Sequence, residues 1–280
     1  MSLLEIENLS LSVRNVRILR KVSLKVGEAE IAGVVGESGA GKSMLGKAVL
    51  GVLPGDVSAL SGEIRLHGEN LLKLASRQRR MILKRSLSLI PQDPMTALNP
   101  CRTIGSQVGE VLSLTGRRSL RADVTRWLDA VRIPFAARVA KSYPHELSGG
   151  MRQRALIAAA FASRPKLVIA DEPTTALDVT VQKDVLVLIR DLQRETGVGL
   201  LFITHDLCVV AKICGSVTVM HGGRVIEQAP CENIIRQPGH AYTAALLKTA
   251  PRHDRFGGGL EPVPESLVES MIAEAESFDD

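Results

Sequence analysis

The feature that most constrains the fold is a glycine-rich stretch near the start of the chain, Gly36-Glu37-Ser38-Gly39-Ala40-Gly41-Lys42-Ser43. It matches the pattern G-x-x-x-x-G-K-[ST] at every fixed position. The apolar run 31–35 before it predicts a buried strand, and residues 44–50 after it are typical of a helix. A strand, a glycine-rich turn and a helix in this order predict an α/β fold in which the turn surrounds phosphate groups.

The residue types in this stretch suit the chemistry of a nucleoside triphosphate. Glycine lets backbone N–H groups close around phosphates, because a Cβ atom would block the turn. The start of the following helix adds the positive end of its dipole. We expect all eight residues to contact the nucleotide, with Lys42 at the β and γ phosphates and Ser43 on Mg²⁺. A glycine-rich turn without a ligand stays open on these residues alone.

The composition is that of a globular protein. The 280 residues are 45% hydrophobic and 23% charged, which allows a sizeable core in one large or two small domains. A net charge of +5 would suit nucleic acid or an anionic membrane, but only 3% of the residues are aromatic. We therefore expect no direct nucleic-acid partner. The basic clusters at 77–85 and 117–121 are interpreted as solvated helix faces.

The cysteines and the apolar runs indicate the cellular compartment of the chain. Cys101, Cys208, Cys214 and Cys231 form no C-x-x-C pair, which favours a reduced cytosolic chain with buried or incidental thiols over a metal site. Charge appears at Glu5, so no signal peptide is expected. No apolar run approaches the roughly 18 residues of a membrane helix. We expect the chain to reach a membrane only through a partner.

Hydrophobic patterns divide the chain into a β-rich start, a helical middle and a mixed end. Alternation over 4–13 and 18–26 predicts a small antiparallel sheet beside a parallel one. Helical spacing over 103–139 predicts an inserted helical region. Further predicted elements are strands at 63–68, 87–90, 167–170 and 199–204, helices at 154–162 and 181–195, and a hairpin of 217–220 with 224–227. Ser61-Gly62 is interpreted as a break, and the acidic stretch 261–280 as mobile.

Two carboxylates follow the predicted buried strand 167–170. Asp171 stands at its exit, where a carboxylate can hold Mg²⁺ beside a phosphate loop. Glu172 is then placed to orient or deprotonate an attacking water molecule. Two solvated surface carboxylates are the alternative.

Together these residues resemble a known family. Leu147-Ser148-Gly149-Gly150-Met151-Arg152-Gln153-Arg154 resembles the signature motif of ATP-binding-cassette (ABC) ATPases, upstream of Asp171-Glu172 as in that family. Gln92 resembles the Q-loop glutamine, Ala176-Leu177-Asp178 the D-loop, and His205 the switch histidine. The motifs occur in the family's order, and the resemblance covers about residues 3 to 250.

The resemblance implies a composite site in a head-to-tail dimer. ATP would lie between the phosphate loop of one chain and the signature motif of a second ABC ATPase subunit, the same or different. Ser148, Gly149 and Gly150 would bind the γ-phosphate there, at the start of a helix. His205 would hold the attacking water with Glu172, and Gln92 would sense Mg²⁺ and water. Asp178 belongs to the implied nucleotide-binding set.

Several segments are similar to one branch of the family, the importers of dipeptides, oligopeptides and nickel. These segments are Ile90–Pro100, Ser142–Leu147, Met151 in the signature, and Gly239–Leu247, where Ala241 replaces a proline. Met151 favours the first of the two unlike ATPases that these systems pair. The end of the first strand lacks the family's adenine-stacking aromatic, and Val13 or Val16 would pack on the base instead.

The resemblance implies an ATP hydrolase that drives a bacterial ABC importer of peptides or nickel. It implies ATP and Mg²⁺ as ligands, two transmembrane permease subunits as partners, and indirectly a periplasmic substrate-binding protein. The chain would lie on the cytoplasmic face of the inner membrane and dock through residues 92–138. The alternatives are an importer of another small solute, a soluble ABC ATPase acting on ribosomes or DNA, and a non-hydrolysing regulatory subunit.

The implied fold is α/β, the ABC ATPase form of the P-loop NTPase fold. We expect a nucleotide-binding core with an N-terminal antiparallel β subdomain, formed by residues 1–91 and 164–235. Residues 92–163 would form the helical subdomain with the signature motif, and residues 236–280 a C-terminal helical extension with the acidic tail.

Overall fold

A computed structural model describes residues 2–114, 121–175 and 177–249. The chain divides into two compact units, the first made of Met1–Lys73 with Phe202–Asp280 and the second of Leu74–Leu201. Three features of the sequence interpretation lie outside the described residues: part of the basic cluster at 117–121, Ala176 of the D-loop, and the acidic stretch 261–280. The three-part domain division stays a prediction.

The helices and strands follow in chain order. The first unit begins with β1 (Ser2–Val13), β2 (Val16–Gly27), β3 (Ile31–Val35), α1 (Lys42–Leu50), β4 (Val57–Leu66) and β5 (Glu69–Asn70). The second unit contains α2 (Ser76–Ser86), β6 (Leu87–Ile90), α3 (Pro94–Ala97), α4 (Ile104–Ser113), α5 (Arg121–Ala130), α6 (Ala136–Val139), α7 (Gly149–Ala162), β7 (Leu167–Asp171) and α8 (Val179–Thr196). Strand β8 (Gly199–Thr204) leads back to the first unit, which continues with α9 (Leu207–Ile213), β9 (Ser216–His221), β10 (Arg224–Pro230), α10 (Cys231–Arg236) and α11 (Ala241–Thr249).

The first unit contains the predicted antiparallel sheet, with strand order β2-β1-β4-β5. Ile6 pairs with Leu24 on one side and Ile64 on the other. The break expected at Ser61-Gly62 is absent, because β4 continues through it. Gly62 has a φ of 95°, and a Cβ atom there would lie 2.5 Å from the carbonyl oxygen of Asn8. The glycine therefore allows an irregular register between two close strands instead of a turn.

A second group of strands in the first unit positions the glycine-rich loop. Strand β3 is buried along its whole length and runs parallel to β9, which pairs antiparallel with β10. The predicted hairpin is thus confirmed. Val35 pairs with Val219, so the end of β3 lies beside Met220 and His221. The loop after β3 therefore starts next to the turn of the hairpin.

The second unit contains the predicted parallel strands and the helical region. Strand β6 pairs parallel with β7, from Leu87 opposite Leu167 to Ile90 opposite Ala170. Helices α4, α5 and α7 pack against one another. The helix predicted from residue 154 begins at Gly149, because Ser148 caps it. Helix α2 carries the basic cluster and buries none of its side chains, in agreement with a solvated face.

The remaining sequence interpretations concern thiols and membrane helices. All four cysteines are free, and burial raises the pKa of the Cys214 thiol far above its usual range. Such a thiol stays protonated and unreactive, as expected of an incidental cysteine. No helix in residues 2–114, 121–175 or 177–249 is long and apolar enough to cross a membrane.

We predict that β3 tolerates no side chain at Gly33. A Cβ atom there would lie 2.7 Å from Cγ1 of Val210 and 3.1 Å from Sγ of Cys214, both on the α9 side of the strand. Gly33→Ala should therefore lower the free energy of unfolding by about 1–3 kcal/mol through overpacking. The measurement is urea denaturation.

Gly215→Ala is the matched control, because the nearest heavy atom to its Cβ would lie 4.0 Å away. That variant should stay within about 0.5 kcal/mol of the parent chain. Equal stability of the two variants would show that β3 does not pack against α9 as described.

Candidate functional site

The glycine-rich loop lies in the first unit, between the end of β3 and the start of α1. Gly41 caps α1 in the left-handed conformation, with φ 93° and ψ 0°. At Gly36 a Cβ atom would lie 2.1 Å from the carbonyl oxygen of Met220. The loop can therefore pass this close to β9 only with glycine at position 36, and turn into the helix without strain only with glycine at position 41.

Lys42 is held over the loop by the loop's own backbone. Its side chain is almost fully buried, and Nζ donates to the carbonyl oxygens of Gly36 and Glu37 at 2.8 Å each. A buried ammonium group at the first position of a helix, above a glycine turn, attracts an anionic oxygen. The loop, the helix start and Lys42 together fit a phosphate group.

The loop also carries an oxygen suited to a nucleotide-bound magnesium ion. Among the residues that the structure describes, no group of three or more His, Cys, Asp or Glu side chains could hold a metal by itself. Mg²⁺ bound to a nucleotide needs only one or two protein oxygens, because phosphates and water supply the rest. The hydroxyl of Ser43, on the first turn of α1, is one suitable oxygen. Asp171, the other predicted ligand, ends β7 in the second unit.

Beside the loop, two side chains of the first unit, those of Tyr242 and His221, meet at Glu37. The backbone N–H of Glu37 donates to Oη of Tyr242 at 3.4 Å. The rings of Tyr242 and His221 lie 4.6 Å apart, and Nδ1 of His221 lies 3.9 Å from Oε2 of Glu37. The sequence interpretation used the tail around Tyr242 only to identify a branch of the family, and it gave His221 no role. No local signal predicts a contact between residues this far apart in the chain.

Protonation in this cluster follows from burial. Burial lowers the pKa of His221 and outweighs the nearby Glu37 carboxylate, which acts in the opposite direction. Burial likewise raises the pKa of Tyr242 far above its usual range. At neutral pH the imidazole is therefore uncharged and the phenol keeps its proton. The 3.9 Å contact of His221 with Glu37 is thus not an ion pair at that pH.

In the second unit the structure brings two predicted catalytic residues together. Nε2 of Gln92 donates to Oε2 of Glu172 at 3.1 Å, and the Thr175 hydroxyl donates to the same oxygen at 2.9 Å. Glu172 follows the last residue of β7 with a φ of 47°, in the left-handed region. Two donors on one oxygen orient the carboxylate. Sequence reasoning identified Gln92 and Glu172 but missed Thr175.

The signature motif forms the start of α7, also in the second unit. Ser148 is the N-cap residue, and its Oγ accepts from the N–H of Met151 at 3.3 Å. Gly149 and Gly150 form the first turn, where N–H groups lack partners within the helix. A Cβ atom at Gly150 would lie 2.9 Å from Cγ1 of Val181. The motif therefore presents a helix start suited to an anion.

The remaining predicted residues occupy loops at the ends of strands or helices. Asp178 caps α8, accepting from the N–H groups of Thr180 and Val181 at 3.1 and 2.9 Å, so its carboxylate has a structural role. His205 is exposed directly after β8 in the first unit. At the turn between β1 and β2, the side chain of Val16 is 61% exposed, so apolar surface is available there.

Comparison with known proteins identifies relatives along most of the chain. The family model described as "ABC transporter" matches residues 19–175. A protein of Sinorhizobium fredii named "probable peptide ABC transporter ATP-binding protein" is 45% identical, with 89% of this chain and 75% of that protein covered. The oligopeptide transport ATP-binding protein of Salmonella typhimurium is 44% identical, with 86% and 72% covered.

A solved structure agrees with these relatives. A Clostridium perfringens protein, described as part of an ABC transporter complex, superimposes with a TM-score of 0.72 at 27% identity. The match covers 84% of this chain and 91% of that one. The predicted ABC ATPase fold is therefore confirmed. The chain belongs to the ABC transporter family, as one of its ATP-binding subunits that hydrolyse ATP to drive transport.

Proposed function

We propose that this ATPase powers the uptake of peptides through a bacterial ABC importer. The observation that supports hydrolysis most directly is the Glu172 carboxylate, which Gln92 and Thr175 hold by one oxygen. The peptide substrate is proposed because relatives 44–45% identical are named for peptide and oligopeptide transport. The family resemblance also allowed nickel transport, but neither of these two relatives is named for it.

In the proposed reaction, the loop 36–43 holds the phosphates of ATP. Lys42 neutralises charge on the β and γ phosphates, and its burial strengthens this attraction. Ser43 and Asp171 would hold Mg²⁺, which shields the phosphate oxygens as charge builds up on them. The loop glycines leave backbone N–H groups close to the phosphates without side chains in between.

Glu172 is the proposed residue that orients the attacking water. Its orientation is set by the Gln92 amide and the Thr175 hydroxyl. The carboxylate would then accept a hydrogen bond from the water. His205 would hold the same water and the γ-phosphate. Because Gln92 lies two residues after the end of β6 and before the helical region, movement of that region would be transmitted to the carboxylate.

The proposed active unit is a head-to-tail dimer. Ser148, Gly149 and Gly150 of one subunit would complete the phosphate site of the other, as the family resemblance implies. The helix start that these residues form is a suitable anion site in any case. ATP would thus join two subunits, and its hydrolysis would separate them.

The proposed partners are two permease subunits and, through them, a periplasmic substrate-binding protein. Residues 92–138 would contact the permeases at the cytoplasmic face of the inner membrane. Two exposed apolar side chains of this segment, Met95 at 61% and Phe135 at 81%, suit such a contact. We propose that this subunit contacts no nucleic acid directly and reaches the membrane through the permeases.

We predict that Glu172→Gln slows turnover strongly but retains ATP binding. The amide cannot take a proton from water, so kcat should fall about 10²–10⁴-fold. Steady-state ATPase assays and equilibrium binding of MgATP measure the two properties. Glu195→Gln, in the exposed last turn of α8, is the control and should leave kcat unchanged. Turnover by Glu172→Gln at the parent rate would remove Glu172 from its proposed role.

The transported solute is tested in cells. Chromosomal Lys42→Ala should abolish uptake of labelled peptides, because the phosphates lose their buried cation, and should leave uptake of labelled nickel unchanged. Lys47→Ala, on the exposed face of the same helix, should transport normally. Loss of nickel uptake with normal peptide uptake would reassign the substrate, and normal uptake of both would refute the proposed importer.

A further inference from the structure

The segment that follows α10 is attached firmly to the hairpin of the first unit. Oε1 and Oε2 of Glu227, on β10, accept from the backbone N–H groups of Gly239 and His240 at 2.7 and 3.1 Å. Burial would raise the pKa of Glu227, but hydrogen bonds to its carboxylate lower it below its usual value. The carboxylate is therefore ionised at neutral pH, and its hydrogen bonds to the segment are charge-assisted.

This attachment places Tyr242 under the phosphate loop. Tyr242 is in the first turn of α11, and its side chain is completely buried. Nδ1 of His240 accepts from the N–H of Tyr242 at 3.1 Å, which orients the start of the helix. The Tyr242 ring then packs against His221, and its Oη reaches the backbone of Glu37.

Tyr242 and Lys42 hold opposite ends of the same peptide group. The carbonyl of Gly36 accepts from Nζ of Lys42 at 2.8 Å, and the N–H of Glu37 donates to Oη of Tyr242 at 3.4 Å. That carbonyl and that N–H belong to one planar peptide unit, so fixing one end fixes the direction of the other. The phenol oxygen thereby helps to point the Gly36 carbonyl at the ammonium group of Lys42.

We propose that Tyr242 is a positioning residue for ATP binding, a role that rests on the ATP site proposed above. Through Tyr242, the segment Gly239–Thr249 sets the orientation of the Gly36–Glu37 peptide and hence the position of the Lys42 ammonium. The segment is anchored by Glu227, so this carboxylate supports the same geometry from a distance. Both side chains would act through backbone groups of the chain, Tyr242 through the N–H of Glu37 and Glu227 through the N–H groups of Gly239 and His240.

Burial of Tyr242 keeps this contact constant near neutral pH. The titratable groups that face Tyr242 are Glu37 from the loop, His221 from β9 and His240 from its own segment. The phenol remains protonated and accepts through its oxygen, so titration does not interrupt the hydrogen bond. The contribution of this hydrogen bond to ATP affinity should therefore not change with pH near neutrality, and it should be lost only when the hydroxyl group is removed.

The test measures MgATP binding to the full chain by calorimetry, together with KM, kcat and the thermal unfolding temperature. Tyr242→Phe keeps the buried ring but removes the acceptor, and the loss of one such hydrogen bond corresponds to a Kd about three- to tenfold higher. KM should rise by a similar factor while kcat stays unchanged. A purely structural role would lower the unfolding temperature and leave Kd and KM like those of the parent.

The chain contains a matched control, because it has only two tyrosines. Tyr143 is partly exposed and stacks on His145 through its ring, so Tyr143→Phe should bind MgATP like the parent. Glu227→Ala provides a second route to the same effect and should also raise Kd, by about threefold or more. Glu232→Ala, on the exposed Glu232–Arg236 pair of α10, is its control.

Lys42→Ala distinguishes an error in the Tyr242 proposal from an error in the proposed ATP site, because this substitution should abolish MgATP binding. If Lys42→Ala abolishes binding while Tyr242→Phe and Glu227→Ala bind like the parent, Tyr242 has no positioning role and the ATP site stands. If Lys42→Ala binds like the parent, the ATP site itself is wrong. Should Tyr242→Phe fail to fold, the comparison of Glu227→Ala with Glu232→Ala decides.

Discussion

The nucleotide site depends on the close approach of the phosphate loop to β9 at Gly36. A Cβ atom at this position would lie 2.1 Å from the carbonyl oxygen of Met220, so every other side chain would push the loop away from the sheet. The parallel pairing of β3 with β9 creates this approach, because it brings the carboxyl ends of both strands to one edge. His221 then follows at the same edge and the hairpin continues to Glu227. The loop thus has contacts with elements nearly 200 residues later in the chain.

The residues of the candidate site lie on elements that are far apart in the sequence. The loop, its buried lysine and the supporting Tyr242 are in the first unit, whereas Gln92, Glu172 and the signature helix are in the second. Within each unit, hydrogen bonds orient the groups that the proposed reaction uses. Each set of groups is therefore positioned by residues of its own unit.

Motif spacing and strand periodicity predicted the phosphate loop, the two carboxylates at the end of β7 and many of the strands, whereas the fold and the other site residues were assigned from the family resemblance. The bounds of β6 and β8 and the hairpin of β9 with β10 matched the structure, because apolar runs between turn residues identify buried strands well. The break expected at Ser61-Gly62 was wrong, since a glycine can serve a close interstrand contact as well as a turn. Thr175 and Tyr242 could not be predicted, because their roles come from three-dimensional contacts that no local pattern encodes.

We propose that each ATP site needs two subunits, one supplying the loop with Lys42 and the other supplying Ser148. The ATPase rate per chain, measured over a wide range of chain concentrations at saturating MgATP, tests this composite site. The rate per chain should fall as dilution separates the subunits and should reach a plateau at high concentration. A rate per chain that stays constant down to the highest dilution would show that a single subunit is sufficient and that the site is not shared.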